Sequence, residues 1–282
     1  HIYQEILKKH ELTVAQLLLT LGDTEERRRY LNARNTMKTL LRCGVIPLVN
    51  ENDTVATEEI RFGDNDRLAA RVAEMAGADL LVLFSDIDGF YTADPNRDPS
   101  ARRIETVHEI TPDIEKMAGM SQSDVGSGGM VTKLQAAKIA VSAGCHVLIA
   151  QGSEQNPVAG LDRGAPYTWF VAPQTPVTAR KRWIANNLKP VGRVTVDAGA
   201  LVALRAGKSL LPPGVLAVDG SFQRGDAVLV VDEGGAQIGL GISAYSALDA
   251  RRILGHKSGE IARILGYRGR EELIHRDDLA LS

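Results

Sequence analysis

The sequence predicts an α/β domain whose mostly parallel sheet is sandwiched by helices, followed by a small β-rich barrel. Three observations carry that expectation. Through residue 172, short apolar runs alternate with segments of helical period, which is how βαβ units read. Pro173, Pro176 and Pro190 then bracket a basic Arg180-Lys181-Arg182, marking a linker over 173–190. Beyond it, short β-type runs are separated by Gly220, Gly225 and Gly234-Gly235, the pattern of an antiparallel or mixed barrel over 191–270. Residues 271–282 read as a polar tail.

Taken in order, Thr13–Leu19 is a strand and residues 23–42 form one long helix opening on Asp-Thr-Glu-Glu. Residues 45–49, 80–84 and 146–150 are short, continuous apolar runs, as expected of strands buried on both faces. Helices at 64–77 and 131–143 lie between them. The first carries Leu68, Ala69, Val72 and Met75, with Asp64 suited to its N-cap. In the second domain, Gly192–Val196, residues 214–218, Ala227–Val231 and residues 238–242 are the strand candidates.

The most informative stretch is Ser127-Gly128-Gly129-Met130-Val131-Thr132-Lys133. Its glycines let backbone N–H groups approach an anion, and an apolar pattern beginning at Val131, Leu134, Ala137 and Val141 places a helix N-terminus behind them. Lys133 falls in the first turn, where a cation opposes the helix dipole unless something negative offsets it. The spacing is not that of a Walker A loop, because the Lys does not directly follow the last Gly. A flexible glycine loop with a solvated Lys is the plainer alternative.

A second cluster lies between residues 45 and 68. The strand at 45–49 runs into Asn50-Glu51-Asn52-Asp53, and Gly63-Asp64-Asn65-Asp66 opens the next helix. In open α/β sheets, ligands bind at the carboxyl ends of strands. Turn and cap chemistry explains Asp64, but not why Asn and acidic residues crowd both ends of one short segment.

The motifs Asn50-Glu51-Asn52-Asp53-Thr54-Val55-Ala56, Gly63-Asp64-Asn65-Asp66 and Ser127–Lys133 resemble those of the glutamate 5-kinase family, which has the amino-acid-kinase fold. So do Leu31-Asn32-Ala33-Arg34-Asn35-Thr36, Ser85-Asp86 and Gly89-Phe90-Tyr91-Thr92-Ala93-Asp94-Pro95. Leu210-Leu211-Pro212-Pro213-Gly214-Val215 with Phe222-Gln223-Arg224-Gly225-Asp226 resembles a PUA domain, which these kinases often carry. The family's opening Lys-x-Gly strand and Ser-Gly-Ala loop have no counterpart here. The resemblance therefore implies a kinase domain, residues 1–172, lacking its N-terminal part.

The resemblance implies ATP-dependent phosphorylation of L-glutamate on its γ-carboxylate, with Mg²⁺ accompanying ATP and proline as feedback inhibitor. It implies catalysis by Lys133, oriented by Asp66, and substrate binding by Asp53 and Asn65. Ser85, Asp86, Ser127, Gly128, Gly129, Met130, Val131, Thr132 and Lys133 would border the nucleotide. A homo-oligomer is expected. Rival readings are another kinase of the same fold, acting on acetylglutamate, aspartate or uridylate, or a non-catalytic fragment working through its PUA-like module.

Composition bears on the remaining classes. Among 282 residues, 44% are hydrophobic and only 5% aromatic, so the core is built from Leu, Val, Ile and Ala. The six His and two Cys show no zinc or haem spacing, and no metal-ligand set is assigned. Cys43 and Cys145 read as buried free thiols of a reducing compartment. No apolar run reaches the ~18–20 residues of a membrane helix, so a cytoplasmic protein with no membrane partner is expected. From Arg180 onward there are 15 Lys and Arg against 11 Asp and Glu. That excess is thin for a nucleic-acid face, and RNA is not expected as a partner.

Overall fold

The computed structural model describes residues 2–54, 65–120 and 129–282. Asp64, assigned above as a helix cap, lies outside them, as do Ser127 and Gly128. The chain forms two compact units, His1–Pro176 and Val177–Ser282.

The first unit begins with α1 (Ile2–Lys8), β1 (Thr13–Leu19), α2 (Leu21–Glu25), α3 (Arg27–Arg42) and β2 (Val45–Glu51). The single helix expected over 23–42 is thus two. Glu26 has extended backbone (φ −76°, ψ 118°) and separates them. The first helix starts earlier than its acidic run, because Asp23 Oδ2 accepts hydrogen bonds from both Thr20 N and Thr20 Oγ1 at 2.7 Å, a cap built from the residues upstream. β1 and β2 pair in parallel, from Thr13 opposite Val45 to Leu19 opposite Glu51.

Next come α4 (Asn65–Ala76), β3 (Leu80–Ser85), a hairpin of β4 (Phe90–Tyr91) with β5 (Arg103–Ile104), and β6 (Thr106–Val107). They are followed by α5 (Pro112–Met120), α6 (Met130–Ser142), β7 (His146–Gln151), α7 (Pro157–Asp162) and β8 (Tyr167–Phe170). The main sheet has the order β3-β7-β8-β6; β3–β7 and β6–β8 are parallel, and β7–β8 is antiparallel. Only the run at 146–150 is buried as fully as expected: Val147, Leu148, Ile149 and Ala150 are each at most 4% exposed. Ile46, Leu80 and Phe84 are exposed, so β2 and β3 are half-covered strands. Gly144 joins α6 to β7 with φ +84°, where a Cβ would lie 2.5 Å from the Thr175 backbone, so a side chain is excluded there.

The core beneath the main sheet brings Ala70 and Ala73 of α4 together with Leu134, Ala136, Ala137 and Ala140 of α6. These small residues let the two helices approach closely, and they fix the relative placement of the helices' first turns. Cys145 is buried, and burial, then Asp79, pushes its thiol up to about 11. Cys43, expected to be buried, is exposed as the C-cap of α3, where Leu41 also faces outward.

The second unit holds most of α8 (Pro176–Asn187), then β9 (Gly192–Val196), α9 (Ala198–Arg205), β10 (Val215–Gly220), β11 (Ala227–Val231) and β12 (Gln237–Ile242). It ends with α10 (Ala247–Ile253), α11 (Ile261–Leu265) and β13 (Leu279–Leu281). The sheet order is β10-β9-β11-β12-β13, with β9–β11 parallel and the other pairs antiparallel, hence mixed. Two expectations are corrected. Much of the supposed linker is a 12-residue helix that buries Ala179 and Ile184. Pro176 opens it, since a helix's first residue has no use for an N–H. The supposed polar tail buries Leu273, Ile274, Leu279 and Ala280, and its β13 completes the sheet edge.

Candidate active site

Three chain segments supply the site residues. β2 ends in Asn50-Glu51, and Asn52 N continues the parallel ladder to Leu19 O at 2.8 Å. Asp53 follows in an exposed turn, where Thr54 Oγ1 donates to Asn52 Oδ1 at 2.6 Å. α4 starts with exposed Asn65 and half-buried Asp66. A carboxylate in a first helical turn is favoured by the helix dipole.

The third segment is the start of α6. Gly129 caps it with ordinary backbone (φ −96°, ψ −170°). Its carbonyl accepts from Thr132 N at 3.1 Å and Lys133 N at 3.3 Å. The amides of Met130 and Val131 have no protein acceptor among the described residues, as first-turn amides require an outside partner. Among the described residues, a Cβ on Gly129 would meet nothing within 4 Å. Such first-turn amides suit an anion.

Lys133 Nζ reaches Asp66 Oδ2 at 2.9 Å, with side-chain exposures of only 12% and 16%. The helical repeat explains the meeting. Asp66, Ala70 and Ala73 share one face of α4, and Lys133, Ala136, Ala137 and Ala140 share one face of α6. Packing those alanines brings the two polar ends together. The same Asp66 oxygen lies 3.3 Å from Thr132 Oγ1, which also donates to Gly129 O at 2.7 Å. The negative group needed beside a first-turn lysine is thus Asp66.

Ser85 and Asp86 leave the carboxyl end of β3, and Ser85 Oγ donates to Asp86 Oδ1 at 2.9 Å. Gly152, after the neighbouring strand, donates its N–H to Ser85 O at 2.7 Å; a Cβ there would stand 2.8 Å from Phe84 Cβ. Among the described residues, no hydrogen bond joins Asp53, Asn65, Ser85 or Asp86 to the Asp66–Thr132–Lys133 cluster.

Residues 89–95, a motif to which the sequence assigns no role, open the hairpin after Asp86. Tyr91 donates to Asp88 Oδ1 at 2.9 Å, and burial, then the Asp88 bond and charge, raises the Tyr91 pKa. Arg103 Nε stands 4.0 Å from Asp88, and its guanidinium donates to Tyr167 O. Thr168, fully buried, accepts from Phe90 N at 2.7 Å and donates to Ile104 O at 2.6 Å, stitching both strands to β8. Gly89-Phe90-Tyr91 was the available signal; nothing local marks Arg103 or Thr168.

The described residues contain no group of three or more His, Cys, Asp or Glu that could hold a metal. Nor is any of their helices long and apolar enough to cross a membrane.

Comparison with known proteins bears on this site. Residues 1–151 match the amino acid kinase family, and residues 192–265 match the PUA domain. Glutamate 5-kinase of Paramagnetospirillum magneticum is 60% identical over 281 residues, which span 100% of this chain and 76% of that protein. Glutamate 5-kinase of Rhodospirillum rubrum is 59% identical, over 100% of this chain and 75% of its own length. That of Agrobacterium fabrum is 58% identical, over 99% and 72%. Identity at this level along both units disfavours the rival kinases and the non-catalytic reading. The chain belongs to the amino acid kinase family and, within it, to the glutamate 5-kinases.

Proposed function

We propose that this chain phosphorylates the γ-carboxylate of L-glutamate from ATP, giving glutamyl 5-phosphate, the first step of proline biosynthesis. Beyond family membership, the observation that carries this is the Lys133–Asp66 pair beside the open amides of Met130 and Val131. A glutamate side chain has a reference pKa of ~4.3, so near neutral pH the acceptor is already an anionic nucleophile and requires no general base. Joining it to a phosphoryl group brings like charges together. Catalysis must come from positioning and from positive charge where negative charge gathers.

Lys133 supplies that charge, and the first-turn amides of α6 are further donors for it. Asp66 holds the ammonium in place rather than taking a proton. Asp53 suits the ammonium of glutamate, and the Asn65 amide suits its carboxylate. Ser85 and Asp86, at the carboxyl end of β3, border the nucleotide together with Ser127 and Gly128, the two that lie outside the described residues.

Mg²⁺ neutralises ATP phosphates and needs few protein ligands. Asp66 accepts from Lys133 through Oδ2, so its Oδ1 would be the atom to hold a water of such an ion. Proline inhibition and self-assembly belong to the same proposal, as does a cytoplasmic setting.

The test is trapping of the acyl phosphate with hydroxylamine. Glutamyl hydroxamate should form only with both ATP and glutamate, and replacing Lys133 with Ala should suppress it. Absence of product from the folded full-length protein would reject the proposal.

A further inference from the structure

We infer that Thr132 is a positioning residue that acts through Asp66, holding the carboxylate when Lys133 turns toward the phosphoryl group. This rests on the catalytic reading of Lys133 given above. Thr132 Oγ1 has one proton and two acceptors in reach, Gly129 O at 2.7 Å and Asp66 Oδ2 at 3.3 Å. The plainer account of a first-turn threonine is a local bond to the carbonyl three residues back.

That account leaves something over. Gly129 O already accepts from the amides of Thr132 and Lys133, so the hydroxyl proton is surplus there. Asp66 is in a different position. Its Oδ2 accepts from Lys133 Nζ at 2.9 Å in a largely covered setting. An ammonium that moves toward developing phosphoryl charge weakens that bond. A carboxylate then left short of donors would pull the lysine back. Rotation of the Thr132 hydroxyl from Gly129 O to Asp66 Oδ2 replaces part of what Lys133 withdraws, and no atom need move far. The same oxygen serves both donors, so exchange between them needs no rearrangement of Asp66.

The experiment compares Thr132→Val, which keeps the branched shape, with Thr132→Ser, which keeps the hydroxyl, in the full-length protein, with thermal melting to match folding. Thr132→Val should lower kcat about tenfold to a hundredfold while KM for ATP and for glutamate stays within about threefold. Thr132→Ser should stay within about threefold of the parent. In single turnover, Thr132→Val added to Asp66→Asn should cost little further, because the hydroxyl works through that carboxylate.

A raised KM for ATP with kcat intact would make Thr132 a direct nucleotide ligand and overturn the inference. Additive losses with Asp66→Asn, or a Ser variant as impaired as the Val variant, would also overturn it. Lys133→Ala serves as the control on the underlying reading. If it retains full activity, the catalytic assignment fails; if it loses activity while Thr132→Val does not, only the Thr132 inference fails.

Discussion

Lys133 Nζ and Asp66 Oδ2 stand 2.9 Å apart although 67 positions separate the two residues in the chain. The pair places a cation at the start of α6, against the helix dipole, with its compensating carboxylate on the neighbouring helix. Lys133→Ala should lower kcat by about 10²–10³, the loss that follows removal of one donor to developing oxyanion charge. Asp66→Asn should also act on kcat, since the amide holds the ammonium less firmly. Steady-state kinetics with both substrates checks this. A change confined to KM in either variant would contradict the assigned roles.

Asp53 separates binding from chemistry. It is exposed in the turn after β2, where a carboxylate can pair with the ammonium of glutamate. Asp53→Ala should raise KM for glutamate by about tenfold to a hundredfold, the range for losing a hydrogen bond to a charged group. KM for ATP should stay put. If kcat falls instead, Asp53 belongs with the reacting centre.

Much of this site could be read from the chain, but not the contact at its centre. The Asp66 and Lys133 motifs stood out separately; their meeting depends on how Ala70 and Ala73 pack against Ala136, Ala137 and Ala140, which no local pattern specifies. The parallel strands were legible because apolar runs have few other uses. The misreadings share a cause, in that one residue type served two purposes. Pro176 looked like a breaker and is a helix opener. Glu271, Glu272, Asp277 and Asp278 gave the last residues a polar look, while Leu273, Ile274, Leu279 and Ala280 beside them are buried. The break at Glu26 was masked by helix-forming neighbours, and the cap lay upstream at Thr20.

The second unit should show an alkaline weakness traceable to one side chain. Tyr245 is only 2% exposed, and its hydroxyl donates to Arg270 O. Burial first, then Tyr267 and Glu272, pushes its pKa up to about 12 from an ordinary 10. In the unfolded chain the phenol would ionise first. Stability present below pH 10 is therefore lost as pH rises toward 12. Denaturant midpoints across that interval should fall for the parent and fall less steeply for Tyr245→Phe. Equal slopes would remove Tyr245 from the explanation.

The integrity of the second unit can be tested through Arg180. In α8, its Nε lies 2.6 Å from Asp278 Oδ1, with side-chain exposures of 13% and 7%. The helix read as a linker is thereby tied to the end of the chain read as a tail. Removing Arg180 takes one partner from a buried carboxylate, at a cost of up to about 3–5 kcal/mol. Arg180→Ala should lower the unfolding midpoint of the Val177–Ser282 unit while sparing the chemical step, whose assigned residues all precede residue 134. A truncation beginning at residue 191 keeps α8 but removes Asp278, the partner of Arg180, from a helix that buries Ala179 and Ile184, inviting aggregation. A truncation ending at Pro176 avoids this and should be the more soluble of the two. Single-turnover phosphoryl transfer at matched folding then decides the division of labour. A loss beyond about a hundredfold, roughly 2.7 kcal/mol of barrier, in the shorter chain would mean that the second unit helps to build the active site.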